Sequence, residues 1–310
     1  MLSEIKYRIL LFVLVPLLCL GCTEERKETP TKGHVTIVTA ESVAPMMKSE
    51  KSEFEELYPE AHVELVVAAT REAVARFFND SIKVIVTSRP FNTEELAVAK
   101  KANIELGEYK IAVDGIAIIV HPSNPVKGLR TTQMDSIFRG VITGWKDVAG
   151  PKFGGTIELC LPSRNSGTTE IVSQKILKGK EFGRSVMVTD STPAMIRYIA
   201  QHQYAIGMTG LNWLPDSEKS VSVVELADPN APDSLGTRGK FFRPYQAYVY
   251  QHYYPLTRDI FIYSRTDPYS VGNGFVAFVT SAPGQKIVLN SGLVPATMPV
   301  RLVELTNKGQ

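Results

Sequence analysis

Three times before Glu170 the chain runs an apolar strand pattern into a short polar turn and then into a helical pattern. His34 to Thr39 leads to Ala40-Glu41-Ser42, Ile82 to Val86 to Thr87-Ser88-Arg89-Pro90, and Thr156 to Leu161 to Arg164-Asn165-Ser166-Gly167-Thr168-Thr169. Further strand patterns at His62 to Ala68, Glu105 to Val113 and Gly115 to Val120 are interleaved with helical patterns from Val43 to Leu57, Arg71 to Phe78 and Thr93 to Lys101. Parallel strands need a crossover, usually a helix, so this alternation predicts an α/β architecture with mainly parallel sheets. In such sheets ligands gather where the carboxyl ends of strands meet helix starts.

The polar turns sit at those ends and carry a consistent chemistry. A helix start leaves backbone N–H groups unpaired and partial positive charge, which suits an oxyanion. Ser42, Ser88, Ser166 and Thr168 add hydroxyl donors that do not titrate, Gly167 permits close backbone approach, and Arg89 and Arg164 carry planar guanidinium forks matched to tetrahedral oxyanions. Ordinary helix capping explains the same Ser-Gly-Thr run equally well.

With 310 residues, 44% of them hydrophobic and 21% charged, the chain can bury a sizeable core in one or two domains. Its net charge of +2, with no dense Lys/Arg block, argues against nucleic acid as a partner. Lys6 and Arg8 precede an apolar run, Ile9 to Leu20, too short to span a bilayer comfortably, as in an export signal. That run ends in Cys19-Leu20-Gly21-Cys22 and turns polar at Thr23, which resembles the lipobox of bacterial lipoproteins and implies lipidation at Cys22. Here Cys19 stands where the lipobox usually has Leu. Cys160 then has no partner for a disulfide and reads as a small core residue. No Walker loop, H-E-x-x-H or G-x-S-x-G occurs, and the histidines have no metal-ligand spacing. No cofactor, metal or catalytic group is expected.

Several segments together resemble the phosphate-binding solute receptors of ABC importers. They are Asp114-Gly115-Ile116-Ala117-Ile118-Ile119-Val120-His121-Pro122 with Asn124-Pro125, then Ile137 to Trp145, Asn165-Ser166-Gly167-Thr168, Tyr204-Ala205-Ile206-Gly207, Tyr254 to Arg258, and Gly292-Leu293-Val294-Pro295. The resemblance implies a two-lobed type II periplasmic-binding-protein fold with two crossover strands at a hinge. The crossings are expected near Asp114 to Val120 and near Tyr245 to Tyr250. Residues 1–21 are then a lipoprotein signal peptide, 22–32 a tether, 33–114 and 250–310 lobe one, and 115–249 lobe two.

The same resemblance implies a monomeric, lipid-anchored receptor in the cell envelope, facing the periplasm or the exterior, that delivers inorganic phosphate to a membrane permease. Its ligand contacts are expected at Ser42, at Ser88 and Arg89, and at Ser166, Gly167 and Thr168. The family arginine sits three or four residues before the Ser-Gly-Thr serine; here those places hold Ser163 and Pro162, and Arg164 stands only two before. A carboxylate beside a dianion must accept a proton, which monohydrogen phosphate carries and sulfate lacks. Glu41 is the first candidate for this role and Asp114 the second, against plainer readings as a helix-dipole partner and a hinge-turn residue. Other readings are a receptor for a different oxyanion, a sensor without transport, and a phosphoryl hydrolase using Ser42 or Ser166. The hydrolase needs a base or metal that the sequence does not supply.

Overall fold

β-branched and apolar runs make the strands, and short polar turns release the chain into helices. A computed structural model describes residues 28–79, 82–183, 186–214 and 220–298. The expected signal peptide and Cys22 lie outside the described residues. The amino half follows the alternating pattern: β1 (Gly33–Ala40), a 3-10 turn over Glu41–Val43, α1 (Ala44–Leu57), β2 (Ala61–Ala68), α2 (Thr70–Asn79), β3 (Val84–Thr87), α3 (Thr93–Lys101) and β4 (Gly107–Val120). Pro45, where a missing N–H is no loss, opens α1, and a reciprocal Asn92–Glu95 capping box opens α3.

The middle of the chain contributes β5 (Gly128–Arg130), α4 (Thr131–Phe138), α5 (Lys146–Ala149), β6 (Glu158–Leu161), α6 (Gly167–Lys175), β7 (Val186–Val188), α7 (Thr192–Gln201), β8 (Ala205–Gly210) and β9 (Ser222–Ala227). The chain closes with α8 (Gln246–Tyr250), β10 (Thr257–Ser264), α9 (Val271–Thr280), α10 (Ala282–Asn290) and β11 (Val294–Pro295).

One hydrogen-bonded path runs β2-β1-β3-β10-β4-β8-β6-β7, and β4 belongs to both lobes. Its first half pairs antiparallel with β10 as far as Gly115↔Thr257, and its second half pairs antiparallel with β8 from Ile116↔Gly210 onward. The change of partner between Gly115 and Ile116 is the first hinge crossing. Pairs within each helix-alternating stretch are parallel (β1 with β2 and β3, β6 with β7 and β8), and the antiparallel pairs gather where the chain crosses.

The second crossing differs from expectation. Tyr245 to Tyr250 is not a strand: Gln246–Tyr250 is the helix α8, and Gln246 Nε2 donates to Leu289 O and Leu293 O at 2.7 and 2.8 Å. The following segment lies along the hinge, where Tyr254 OH donates to Ile116 O and Ile116 N to Leu256 O. Part of the expected tether is packed against the fold. Glu28 accepts a hydrogen bond from the first N–H of α9 at Val271, and Thr29 bridges to Lys32, so residues 28–32 are docked on the fold.

Lobe one has core on both faces of its sheet, around Met46, Met47, Phe54 and Phe275 on one side and Phe77, Phe91 and Tyr263 on the other. Lobe two packs around Ile118, Phe138, Trp145 and Met195. Cys160 is buried there and burial pushes its thiol up to about 11, as befits a core residue.

One core position breaks the apolar pattern. Glu50, on the α1 face that carries Met46, Met47 and Phe54, is wholly buried, and neither carboxyl oxygen has a hydrogen-bond partner. Burial, with a smaller push from Glu53, raises this carboxyl from 4.5 to about 9. The folded chain therefore holds a proton that the unfolded chain releases above its ordinary value. The contribution to stability is complete below pH 4.5 and declines as pH rises toward 9. The decline is about 1.4 kcal/mol per pH unit. Glu50→Gln keeps the shape and removes the ionisation, so it is expected to raise the thermal midpoint at pH 8 and leave it nearly unchanged at pH 4. A midpoint difference independent of pH would show that Glu50 does not titrate on unfolding.

Candidate ligand cleft

The strand ends and helix starts of the two lobes face one another across the hinge. From lobe one come Ser42 in the turn after β1, Thr70 at the start of α2 and Ser88 after β3; from lobe two come Ser166, Gly167 and Thr168 at the start of α6. All are buried. The α6 start falls at Gly167, earlier than the Glu170 expected from periodicity. Ser166 is its N-cap, in extended backbone, and its Oγ accepts from Thr169 N at 3.1 Å.

The two lobes meet closely here. Thr70 Oγ1 and Ser88 Oγ lie 3.1 Å apart, and a Cβ added at Gly167 would stand 1.7 Å from Ser88 Oγ and 2.8 Å from Thr70 Oγ1. Only glycine allows this approach. Asn212, just after β8, donates from Nδ2 to Ser42 O at 2.9 Å and ties the β1 turn to lobe two. Ser42 Oγ and, at the end of β1, Thr39 Oγ1 are buried hydroxyls without a hydrogen-bond partner in the protein.

The buried charge at the α6 start is Arg258, which sequence reasoning did not single out. It stands on β10 directly opposite Asp114 on β4. Its Nε and Nη2 donate to Asp114 Oδ2 at 2.9 and 2.6 Å, and its Nη1 reaches across to Thr168 Oγ1 at 2.8 Å. Asp114 Oδ1 accepts from Leu211 N at 2.9 Å, so both carboxylate oxygens are engaged. Both side chains are fully buried. Burial pushes the Asp114 carboxyl above its ordinary range, and Arg258 and the Leu211 N–H oppose that push. Gly210 makes the pair possible, since a Cβ there would lie 2.5 Å from Asp114 Oδ2 and 2.7 Å from Arg258 Nη2. The signal was partial: Asp114 is followed by an unbroken apolar run to Val120 and Arg258 by Ile260, Phe261 and Ile262, and a charge buried among such residues must find a partner.

The other candidates fall in different places. Arg164 is exposed and lines a surface cavity of about 580 Å³ with Arg71 and Glu170, so it is not brought to the cluster. Arg89 is buried, but its fork is held by Glu95, with Nη1 and Nη2 donating at 2.7 and 2.8 Å. Its Nε faces Glu170 of α6 at 3.0 Å, an ion pair without hydrogen-bond alignment. The bonds from Glu95 foremost raise the Arg89 pKa still further. Burial opposes ionisation of Glu95, yet Arg89 and the Asn92 N–H hold its carboxyl below the ordinary value. Glu41, expected to accept a ligand proton, instead accepts two protein hydrogens: Thr192 N on Oε1 and Thr192 Oγ1 on Oε2, both at 2.9 Å. No group of His, Cys, Asp and Glu suited to a metal occurs among the described residues.

The arrangement gathers neutral hydroxyl donors and one buried, internally paired cation where the two lobes meet. A family model described as a PBP superfamily domain matches residues 24–283. The phosphate-binding protein PstS of Pseudomonas aeruginosa is 24% identical over 302 residues, which is 91% of this chain and 88% of that protein. Protein SphX of Synechococcus elongatus is 24% identical over 268 residues, 84% of this chain and 77% of that protein. An ABC-type phosphate transport receptor from Vibrio cholerae has the same fold, with a TM-score of 0.65 at 23% identity, over 85% of this chain and all of the other.

A buried pair that loses one partner leaves an uncompensated charge, at a cost of about 3–5 kcal/mol, whereas removing both partners costs far less. Arg258→Met is therefore expected to lower stability by that amount in urea unfolding, and Asp114→Asn added to it to restore most of the loss. Additive losses in the double variant would show that the two groups do not act as a pair.

Proposed function

This chain belongs to the PBP superfamily, and we propose that it is an extracytoplasmic receptor that captures inorganic phosphate for an ABC importer. The observation that carries this reading is the buried meeting of the lobe-one hydroxyls Thr70 and Ser88 with the α6 start at Gly167, next to Thr168, whose hydroxyl accepts from the Arg258 guanidinium. Neutral donors and a single, internally balanced cation suit a tetrahedral oxyanion, because each hydroxyl and helix start gives hydrogen bonds without adding net charge. Ser42, Ser88, Gly167, Thr168 and Arg258 are the residues we assign to the ligand, with Ser166 holding the α6 start in place.

Binding, rather than hydrolysis, is the chemistry these groups support. Ser42 Oγ has no base bonded to it, and Ser166 Oγ is committed to Ser163 O and Thr169. An activated serine needs an adjacent base. The names of the relatives, phosphate-binding protein and phosphate transport receptor, support phosphate as the ligand and an ABC system as the partner. We further propose that Cys22 carries the lipid anchor. No helix among the described residues is long and apolar enough to cross a membrane.

Calorimetric titration with phosphate, sulfate, molybdate and a phosphonate tests the ligand. Phosphate is expected to bind with a Kd of about 1 μM or below, worth ~8 kcal/mol. Ser42→Ala removes one hydroxyl donor to a charged ligand, worth about 1.5–3 kcal/mol, and is expected to weaken phosphate about tenfold to a hundredfold. Tighter binding of another of these oxyanions would reassign the ligand. Cys22→Ser is expected to shift the protein from the membrane fraction to the soluble fraction with its phosphate affinity intact. A wild-type chain without a lipid mass shift would leave a plain cleaved signal in place of the anchor.

A further inference from the structure

Two charged side chains that the sequence pointed toward the ligand, Glu41 and Arg89, reach protein groups of the opposite lobe instead. Glu41 leaves lobe one and sits on the start of α7 in lobe two, where each of its oxygens accepts a hydrogen from Thr192. A carboxylate at that position also meets the positive end of the α7 dipole. Ser191 caps the same helix from within lobe two through Ala194 N. The Thr192 N–H is left for Glu41.

The second crossing is the ion pair of Arg89 and Glu170. Glu95 holds two of the three Arg89 nitrogens, and Glu95 is itself fixed by the α3 capping box, all within lobe one. The third nitrogen, Nε, has its acid in the other lobe, 3.0 Å away at Glu170 Oε2. Neither of those two atoms has a hydrogen-bond partner, and the two side chains are only 5% and 14% exposed. Arg71 of α2 lies 3.9 Å from the other Glu170 oxygen, which adds a second lobe-one cation. Arg89 is thus oriented from within lobe one, and its contact with Glu170 crosses to lobe two.

We propose that Glu41 and Arg89 are positioning residues that hold the two lobes together through Thr192 and Glu170. In this role they set how long the ligand stays in the cleft and do not touch it. The proposal deepens the phosphate reading of the same cleft. Their places in the chain explain why the motif resembles a set of ligand contacts: Glu41 precedes Ser42, and Arg89 follows Ser88.

The test uses the full-length chain and the variants Glu170→Gln and Glu41→Ala, which leave the cleft hydroxyls and the Arg258 and Asp114 pair in place. Rapid-mixing exchange of labelled phosphate is expected to show dissociation faster by about tenfold to a hundredfold, in line with loss of a bond to a charged group. The association rate and the phosphate-to-sulfate preference are expected to stay as in the wild type. Glu170→Asp is expected to recover part of the loss. Hydrogen exchange measured without ligand is expected to show faster exchange at the Thr192 amide in Glu41→Ala and at the α6 start in Glu170→Gln. A changed phosphate-to-sulfate preference would make these groups ligand contacts and overturn the proposal, as would unchanged dissociation together with unchanged hydrogen exchange. If the wild-type chain binds no phosphate, the ligand assignment fails by itself, and the exchange measurement still decides whether the two crossings hold the lobes.

Discussion

The buried pair of Asp114 and Arg258 fixes the place where the two lobes join. Asp114 lies on β4 one residue before Gly115, the last β4 residue paired to lobe one, and Arg258 lies opposite it on β10. Taking two charges out of water is costly, and the cost is recovered only where geometry is good and the remaining donors and acceptors are satisfied. Here they are satisfied from both sides of the hinge: Leu211 N and Thr168 Oγ1 belong to lobe two. The pair therefore ties strand crossing, hinge segment and α6 start into one hydrogen-bonded unit. Gly210 is part of that unit because any side chain there would occupy the space of the two charged groups.

From that unit outward, each further contact across the cleft falls at the end of a strand or the start of a helix. Ser42, Ser88, Gly167, Thr168 and Thr192 are all in such places. Parallel strand and helix alternation puts unpaired N–H groups and short polar side chains on one edge of each lobe, and the hinge turns the two edges to face each other. Closed, the edges leave little room between them, as the position of Gly167 against Ser88 shows. A ligand for such a space is small and rich in acceptors. Glu41, Arg89 and Glu170 lie at the same edges, and their charges are spent on partners in the protein.

Closure in periplasmic-binding-protein folds is a hinge motion of two rigid bodies. The two cores make each lobe rigid on its own, since lobe one packs around α1, α9 and both faces of its sheet, and lobe two around β4, β6 and β8. The contacts of Glu41 with Thr192, Asn212 with Ser42 and Arg89 with Glu170 across the cleft edge are polar, and polar contacts that water can replace allow reopening at modest cost.

The chain's own residues determined the alternation of strands and helices, the polar turns at the strand ends and therefore the α/β class. Periodicity and turn chemistry are local, so β1, α1, β2, α2, β3 and α3 were legible to within a residue or two. The resemblance to phosphate receptors rested on motif order, and it brought Ser42, Ser88, Ser166, Gly167 and Thr168 into view. What the sequence could not settle was which charged side chains face which. Glu41, Arg89 and Arg164 each stand within two residues of a cleft hydroxyl in sequence, yet Glu41 reaches Thr192, Arg89 is held by Glu95, and Arg164 is exposed. Arg258 lies 144 residues from Asp114 and 90 from Thr168, a separation over which no local pattern carries information. Only the pairing of β10 with β4 brings those groups together, because a buried charge takes its partner from whatever the fold sets opposite it.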